Sequence, residues 1–104
     1  MKISFDVDGV LDTPQGMALA RRKIANGDRV YIITARNEST MSAKVYEIAK
    51  ELGIPRLRVY FTNGADKWKT IQSLGIDLHI DNNEEQITKI KENTDSKAEL
   101  VSYH

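Results

Sequence analysis

The sequence predicts an α/β fold in which a parallel sheet carries helices on both faces. Three observations lead there. Short apolar runs rich in β-branched residues alternate with stretches of helical spacing. The connections are short, and each helical stretch is followed by a new apolar run, the pattern that a parallel sheet requires. The length of 104 residues suits one domain, residues 1–104, with one modest core.

Each element has its own signal. Ile3 to Val7 reads as the first strand, apolar with a β-branched residue at each end. Thr13-Pro14 is a helix entry, Thr13 as N-cap and Pro14 at the first helical position. Met17, Ala20 and Ile24 follow at helical spacing, and Gly27 ends the segment. Val30 to Ile33 is a second buried strand, ending at Thr34. Met41, Val45, Ile48 and Leu52 mark a helix face, with Ser39 or Thr40 as its expected cap and Gly53 and Pro55 closing it. Leu57 to Phe61 is the third strand. Trp68, Ile71 and Leu74 mark a short helix started at Asp66 and stopped by Gly75. Leu78 to Ile80 is the fourth strand. Ile87 and Ile90 lie on a last polar helix entered at Asn82 or Asn83, with Glu84 and Glu85 in its first turn, where carboxylates favour the helix dipole. Lys91 to Lys97 reads as a surface loop, Leu100 to Tyr103 as a fifth strand, and His104 as a mobile chain end.

Composition removes several function classes. Hydrophobic residues make up 40% and charged residues 29%, which argues against disorder as the main state. Cysteine is absent, so there is no disulfide framework, thiol nucleophile or zinc–thiolate site. With two histidines, a metal would be a hard cation held by oxygen. Lys+Arg and Asp+Glu balance at 15 each, so no bulk field draws the chain to nucleic acid or membrane. No apolar run approaches the ~20 residues that span a bilayer, and Met1 to Asp6 has no signal-peptide core. The expected location is the cytoplasm, with no membrane partner.

In open parallel sheets, ligands bind beyond the carboxyl ends of the strands where the strand order reverses. Residues after the strands therefore carry most weight. Asp6-Val7-Asp8-Gly9 follows the first strand, and its two carboxylates make sense there if a cation compensates them. An acidic turn would look the same. Thr34-Ala35-Arg36 follows the second strand; Thr34 alone would be a cap or turn residue. Lys67 lies beyond the third, with Lys69 as a nearby competitor, and Asp81 directly follows the fourth. Carboxylates bind Mg²⁺ through oxygen. Mg²⁺, a lysine and a hydroxyl together neutralise and position a phosphoryl group, which an aspartate can then attack.

At these positions the sequence resembles the haloacid dehalogenase (HAD) superfamily, mostly Mg²⁺-dependent phosphatases, over nearly the whole chain. Ile3-Ser4-Phe5-Asp6-Val7-Asp8-Gly9-Val10-Leu11 is similar to the first motif of that family and is the most specific element. Tyr31-Ile32-Ile33-Thr34-Ala35-Arg36 is similar to the second. Lys67, then Leu74-Gly75-Ile76-Asp77-Leu78-His79-Ile80-Asp81, is similar to the third running into the fourth. The resemblance implies a Rossmann-like, HAD-type three-layer sandwich with a five-stranded parallel sheet of order 3-2-1-4-5. It implies a phosphomonoester hydrolase with Mg²⁺ as cofactor, working through an aspartyl phosphate. Asp6 would be nucleophile and metal ligand. Asp8 would be general acid and base, with its backbone carbonyl on the metal. Thr34 and Lys67 would hold the phosphoryl oxygens, Ala35 and Arg36 would join them in binding substrate, and Asp81 would be the second carboxylate ligand.

Two departures from the family pattern matter. The fourth motif continues with Asn82 where a second acid is common, leaving Asn82, Glu84 or Glu85 to complete the metal shell. After Leu11 the chain enters its helix through Asp12-Thr13-Pro14, with no room for a flap or cap domain. A capless site leaves room for a phosphorylated small molecule, a nucleotide or a nucleic-acid end, or for a partner subunit acting as lid. An oligomer is compatible with this but has no support of its own. Arg21-Arg22-Lys23 and Arg56/Arg58 read as ordinary solvated faces, Trp68 as core, and His79 as a packed or hydrogen-bonded histidine. A phosphoacceptor signalling domain would need an aspartate directly after Val59-Tyr60-Phe61, and none is there. A catalytically weak HAD-fold domain that serves as a binding partner is the alternative.

Overall fold

The computed structural model describes residues 1–103; His104, read above as a mobile chain end, lies outside the described residues. Strand β1 (Lys2–Phe5) leads through a tight turn at Val7–Leu11 into helix α1 (Pro14–Ala25). Then come β2 (Arg29–Thr34), α2 (Glu38–Met41), α3 (Ala43–Leu52) and a short 3₁₀ turn at Arg56–Arg58. The rest runs β3 (Val59–Phe61), α4 (Trp68–Leu74), β4 (Leu78–Asp81), α5 (Glu84–Asn93) and β5 (Lys97–Leu100).

The five strands form one sheet in the order β3-β2-β1-β4-β5, and every neighbouring pair is parallel. The predicted α/β, Rossmann-like layout is therefore the observed one, with no cap. Alternation along β2 separates the two faces. Val30 and Ile32 join Ile3 and Phe5 of β1 in a core with Met17 and Ala20 of α1 and Val45 and Ile48 of α3. Tyr31 and Ile33 point the other way, to Ile71 of α4 and Ile90 of α5. Ile3 and Phe5 are fully buried, each worth roughly 1.5–3 kcal/mol of transfer free energy.

The helix entry at Thr13 is as expected. Its hydroxyl accepts from the Gly16 N–H (3.0 Å) and donates to the Val10 carbonyl (2.6 Å). Gly16 has a role the sequence pattern did not signal: a Cβ there would lie 1.8 Å from the Val10 carbonyl oxygen. The helix seats itself directly on the turn that leaves β1.

Several expected boundaries move. β1 stops at Phe5, because Asp6 and Val7 already belong to the turn. The expected helix through Met41 is two helices that meet at Ser42, and Met41 is 50% exposed rather than on the buried face. Its cap is Asn37, whose side chain accepts from the Ser39 N–H, not Ser39 or Thr40. Leu57 is not in β3; it sits in the 3₁₀ turn, 86% exposed. Asp66 does not cap α4, since its carboxylate instead accepts from Gln86 and Lys89. Asn83 is the cap of α5, accepting from the Glu85 and Gln86 N–H groups. β5 is Lys97–Leu100 rather than Leu100 to Tyr103, and α5 extends to Asn93 into the expected loop. An edge strand has one ladder neighbour and needs no apolar run, so polarity hid it. Val101 and Tyr103 pack against the larger core without being strand.

Candidate active site

The site begins where β1 ends. The Asp6 N–H donates to the Ile80 carbonyl (3.0 Å), tying the exit of β1 to β4. The turn then closes through Leu11 N–H to Asp6 O (3.3 Å) and Asp12 N–H to Val7 O (3.1 Å). Gly9 adopts a left-handed φ of 80° inside it, and its N–H donates to Asp12 Oδ1 (2.8 Å). A Cβ on Gly9 would lie 1.9 Å from Nδ2 of Asn82, so the glycine serves both the turn and the close approach of the loop after β4.

β1 and β4 are neighbours, so Asp6 and Asp81 emerge side by side. Lys67 is buried between them, its Nζ 2.8 Å from Asp6 Oδ1 and 2.7 Å from Asp81 Oδ2. Lys69 is not in this position; its ammonium lies over the Trp68 ring (5.6 Å to the centroid). The Lys67 backbone is held as well, its N–H donating to Gln86 Oε1 (3.1 Å) while Gln86 Nε2 donates to Asp66 Oδ1 (3.1 Å). Behind Asp81 runs a buried polar chain. Ser4 Oγ lies 2.6 Å from His79 Nδ1, and His79 Nε2 lies 2.8 Å from Asp81 Oδ2. A consistent assignment has the serine donating to Nδ1 and Nε2–H donating to the carboxylate. Asp81 Oδ1 accepts from the Asn83 N–H (3.0 Å).

Two carboxylates share one ammonium, and the burden is uneven. Burial is the largest influence on Asp6; Lys67 opposes it and Asp81 adds to it, so the Asp6 carboxyl is pushed up to about 6. Burial also acts most on Asp81, upward, but the hydrogen bond from His79 and the charge of Lys67 together outweigh it and hold Asp81 well below the usual carboxylate range. Burial pushes the His79 imidazole down, which keeps it neutral.

The other strand-end residues are arranged differently. The Asp8 carboxylate does not join Asp6 and Asp81. It turns to Arg36, whose Nε and Nη2 approach its two oxygens at 3.1 and 2.7 Å. The Arg36 hydrogen bond holds Asp8 below its ordinary value. Thr34 is fully buried at the end of β2, its hydroxyl oxygen accepting from the Arg36 N–H (3.3 Å). The Ala35 carbonyl accepts from the Gly64 N–H (2.7 Å), joining the loops after β2 and β3.

These loops enclose a cavity of about 450 Å³ over the carboxyl ends of β1 and β4. Asp6, Asp8, Ala35, Lys67, Asp81 and Asn82 are in its wall; Thr34 and Arg36 are not. A larger cavity of about 680 Å³ lies at the amino ends of β1, β4 and β5, near Met1, Asp77 and Lys97. It lacks the convergence of carboxylates that makes the smaller one chemically distinct. Among the described residues no three Asp, Glu or His side chains gather to hold a metal ion. The carboxylates that the structure brings together at the site are those of Asp6 and Asp81, with Asp8 beside them in the cavity wall. Magnesium keeps several waters and takes one or two carboxylates, so this donor set is of the right kind and number for it.

The structure thus brings together Asp6, Lys67 and Asp81, with Asp8 and Ala35 in the same cavity wall. Glu84 and Glu85 stand in the first turn of α5, and Glu85 pairs with Lys89. Sequence reasoning missed Ser4 and Gln86 as parts of the site, and the Asp8–Arg36 pair. Ser4 and His79 are register partners on β1 and β4, a relation visible only once strand order is known. No family model matches the chain, and no curated protein matches it.

Proposed function

We propose that this chain is a Mg²⁺-dependent phosphomonoester hydrolase of the haloacid dehalogenase type, working through an aspartyl phosphate on Asp6. The observation that carries the reading is the convergence of Asp6, Lys67 and Asp81 at the floor of a cavity over the carboxyl ends of β1 and β4. Asp6, Asp81 and the Asp8 carbonyl would hold the cation, which supplies charge neutralisation of the phosphoryl oxygens. An Asp6 carboxylate oxygen attacks phosphorus, the bond to the ester oxygen breaks, and the leaving oxygen takes a proton from Asp8. Water then attacks the same phosphorus, giving its proton to Asp8; the bond from phosphorus to the Asp6 oxygen breaks, which frees the carboxylate and inorganic phosphate. Lys67, already at hydrogen-bond distance from Asp6, offsets phosphoryl charge as the bond forms. The lack of a cap leaves the cavity open to a phosphorylated small molecule or a nucleic-acid end, and the proposed location is the cytoplasm.

One observation favours a weaker activity. Asp8 faces Arg36 through both oxygens, which keeps it ionised and unable to act as an acid until that pair opens. A domain with this fold that binds phosphorylated partners but turns them over slowly is the second reading.

The test is phosphate release from aryl phosphate, nucleotides, sugar phosphates and a 3′-phosphorylated oligonucleotide, with and without Mg²⁺, beside Asp6→Asn. Release that needs Mg²⁺ and vanishes in the variant is the expected result. Release that persists in Asp6→Asn would overturn the mechanism. Binding of these compounds without release would leave the second reading standing.

A further inference from the structure

β5 is the last strand on its side of the sheet, and among the described residues no strand lies beyond it. Its neighbour β4 uses only half of its backbone. The Lys97 N–H donates to Asp77 O (2.9 Å) and the Val101 N–H to Asp81 O (2.9 Å). Strand alternation therefore directs the polar groups of Lys97, Glu99 and Val101 toward β4, and those of Ala98 and Leu100 outward. The outward side chains are not shielded either: Lys97, Glu99 and Leu100 are exposed, Leu100 at 49%.

We infer that β5 pairs antiparallel with β5 of a second copy of this chain, about a two-fold axis at Ala98. Three features select that partner and that register. First, Ala98 carries an outward N–H and C=O, so two Ala98 residues facing each other exchange both bonds, as a hydrogen-bonded antiparallel pair does. One step further along, the Leu100 N–H meets the outward Ser96 carbonyl of the second copy. The Ser96 N–H is already given to Thr94 Oγ1 and asks for no partner. Second, this register sets Lys97 opposite the partner's Glu99, and Glu99 opposite the partner's Lys97, on the same face of the sheet. Third, the neighbouring registers fail. Centring on Lys97 or Glu99 opposes like charges and presents backbone groups already bonded to β4. Centring on Leu100 leaves both charges without opposite partners. A small residue at the axis also lets the two α5 helices, which cover the Ala98 side, approach without obstruction.

The result is a continuous ten-stranded sheet. Because the axis stands perpendicular to it, the partner's strands run in the opposite direction, and its cavity opens at the opposite end. The pairing closes neither cavity, so the second copy is not a lid.

Sedimentation equilibrium over micromolar to millimolar concentrations tests this with a charge exchange. Wild-type protein is expected to dimerise. Lys97→Glu and Glu99→Lys each convert both opposed pairs to like charges and should weaken self-association by about tenfold or more. The two variants mixed in equal amounts should associate with each other, because every opposed pair is again of opposite sign. Amide exchange supplies the backbone readout: Ala98 and Leu100 should become protected as the dimer fills. A wild-type chain that stays monomeric throughout would overturn the inference. So would a dimer indifferent to Glu99→Lys, variants that fail to associate when mixed, or Ala98 and Leu100 amides that stay unprotected in the dimer.

Discussion

Replacing Asp6 by Asn in metal-free protein is expected to stabilise the fold above neutral pH while removing the proposed nucleophile. Asp6 lies with Asp81 against a single ammonium, and burial pushes its carboxyl from 3.8 up to about 6. The folded state therefore keeps a proton that the unfolded chain has lost across the interval from about pH 4 to about pH 6. Unfolding free energy falls as pH rises through that interval and is level on either side. A shift of about two units corresponds to about 3 kcal/mol, all of it lost by about pH 6 and above. Asn carries no charge and escapes this loss, yet its side-chain oxygen can still accept from Lys67. Asp81, held well below the usual carboxylate range, stays ionised in the folded state across this interval in both proteins, so it adds little pH dependence to the difference. The assay is urea unfolding in a chelator, followed by the fluorescence of Trp68, the single tryptophan, at a series of pH values. The two proteins should match near about pH 4, and the variant should lead by about 3 kcal/mol near about pH 8. A gap that does not change with pH, or a variant less stable at about pH 8, would refute the electrostatic reasoning. Added Mg²⁺ should narrow or reverse the gap, because a ligand that uses Asp6 stabilises only the wild type.

Other substitutions probe separate parts of the molecule. Lys67→Met removes the one cation between two buried carboxylates and should cost about 3–5 kcal/mol at neutral pH, less where Asp6 is protonated; urea unfolding at the two pH values measures it. Arg36→Gln frees an exposed Asp8, so stability should move by no more than about 1 kcal/mol, while the Asp8 carboxyl resonance titrates at higher pH than in the wild type. Gly16→Ala puts a methyl into the Val10 carbonyl and should destabilise by about 1–3 kcal/mol despite the better helix propensity of alanine, read as a fall in Tm. Ser4→Ala strands Nδ1 of a fully buried histidine and should cost about 1–3 kcal/mol in the same measurement.

How much of this was legible in the chain differs from element to element. The buried strands announce themselves, because a strand covered on both faces must be apolar throughout, as Val30 to Ile33 is. Thr13-Pro14 carries its own cap, and the structure shows that cap in use. Most boundaries misread in the sequence lie where solvent removes the constraint; the end of β1, at buried Asp6 and Val7, is the exception. Leu57 is apolar yet exposed, Met41 sits past a break at Ser42, and the polar β5 lies at the sheet edge. The strand-exit carboxylates were legible as residues, because like charges after adjacent strands need a reason. Their roles in the resting molecule were not.

The sequence by itself determined the alternating α/β layout and placed Asp6, Asp8, Lys67 and Asp81 after the strands. Periodicity and capping are local properties, written within a few residues. Tertiary structure alone decided that Lys67 bridges Asp6 and Asp81, that Asp8 turns away to Arg36, and that Ser4 backs His79. Those partners are separated by 14 to 75 positions in the chain. Which carboxylate meets the one buried ammonium depends on strand order, register and burial, which no local pattern encodes.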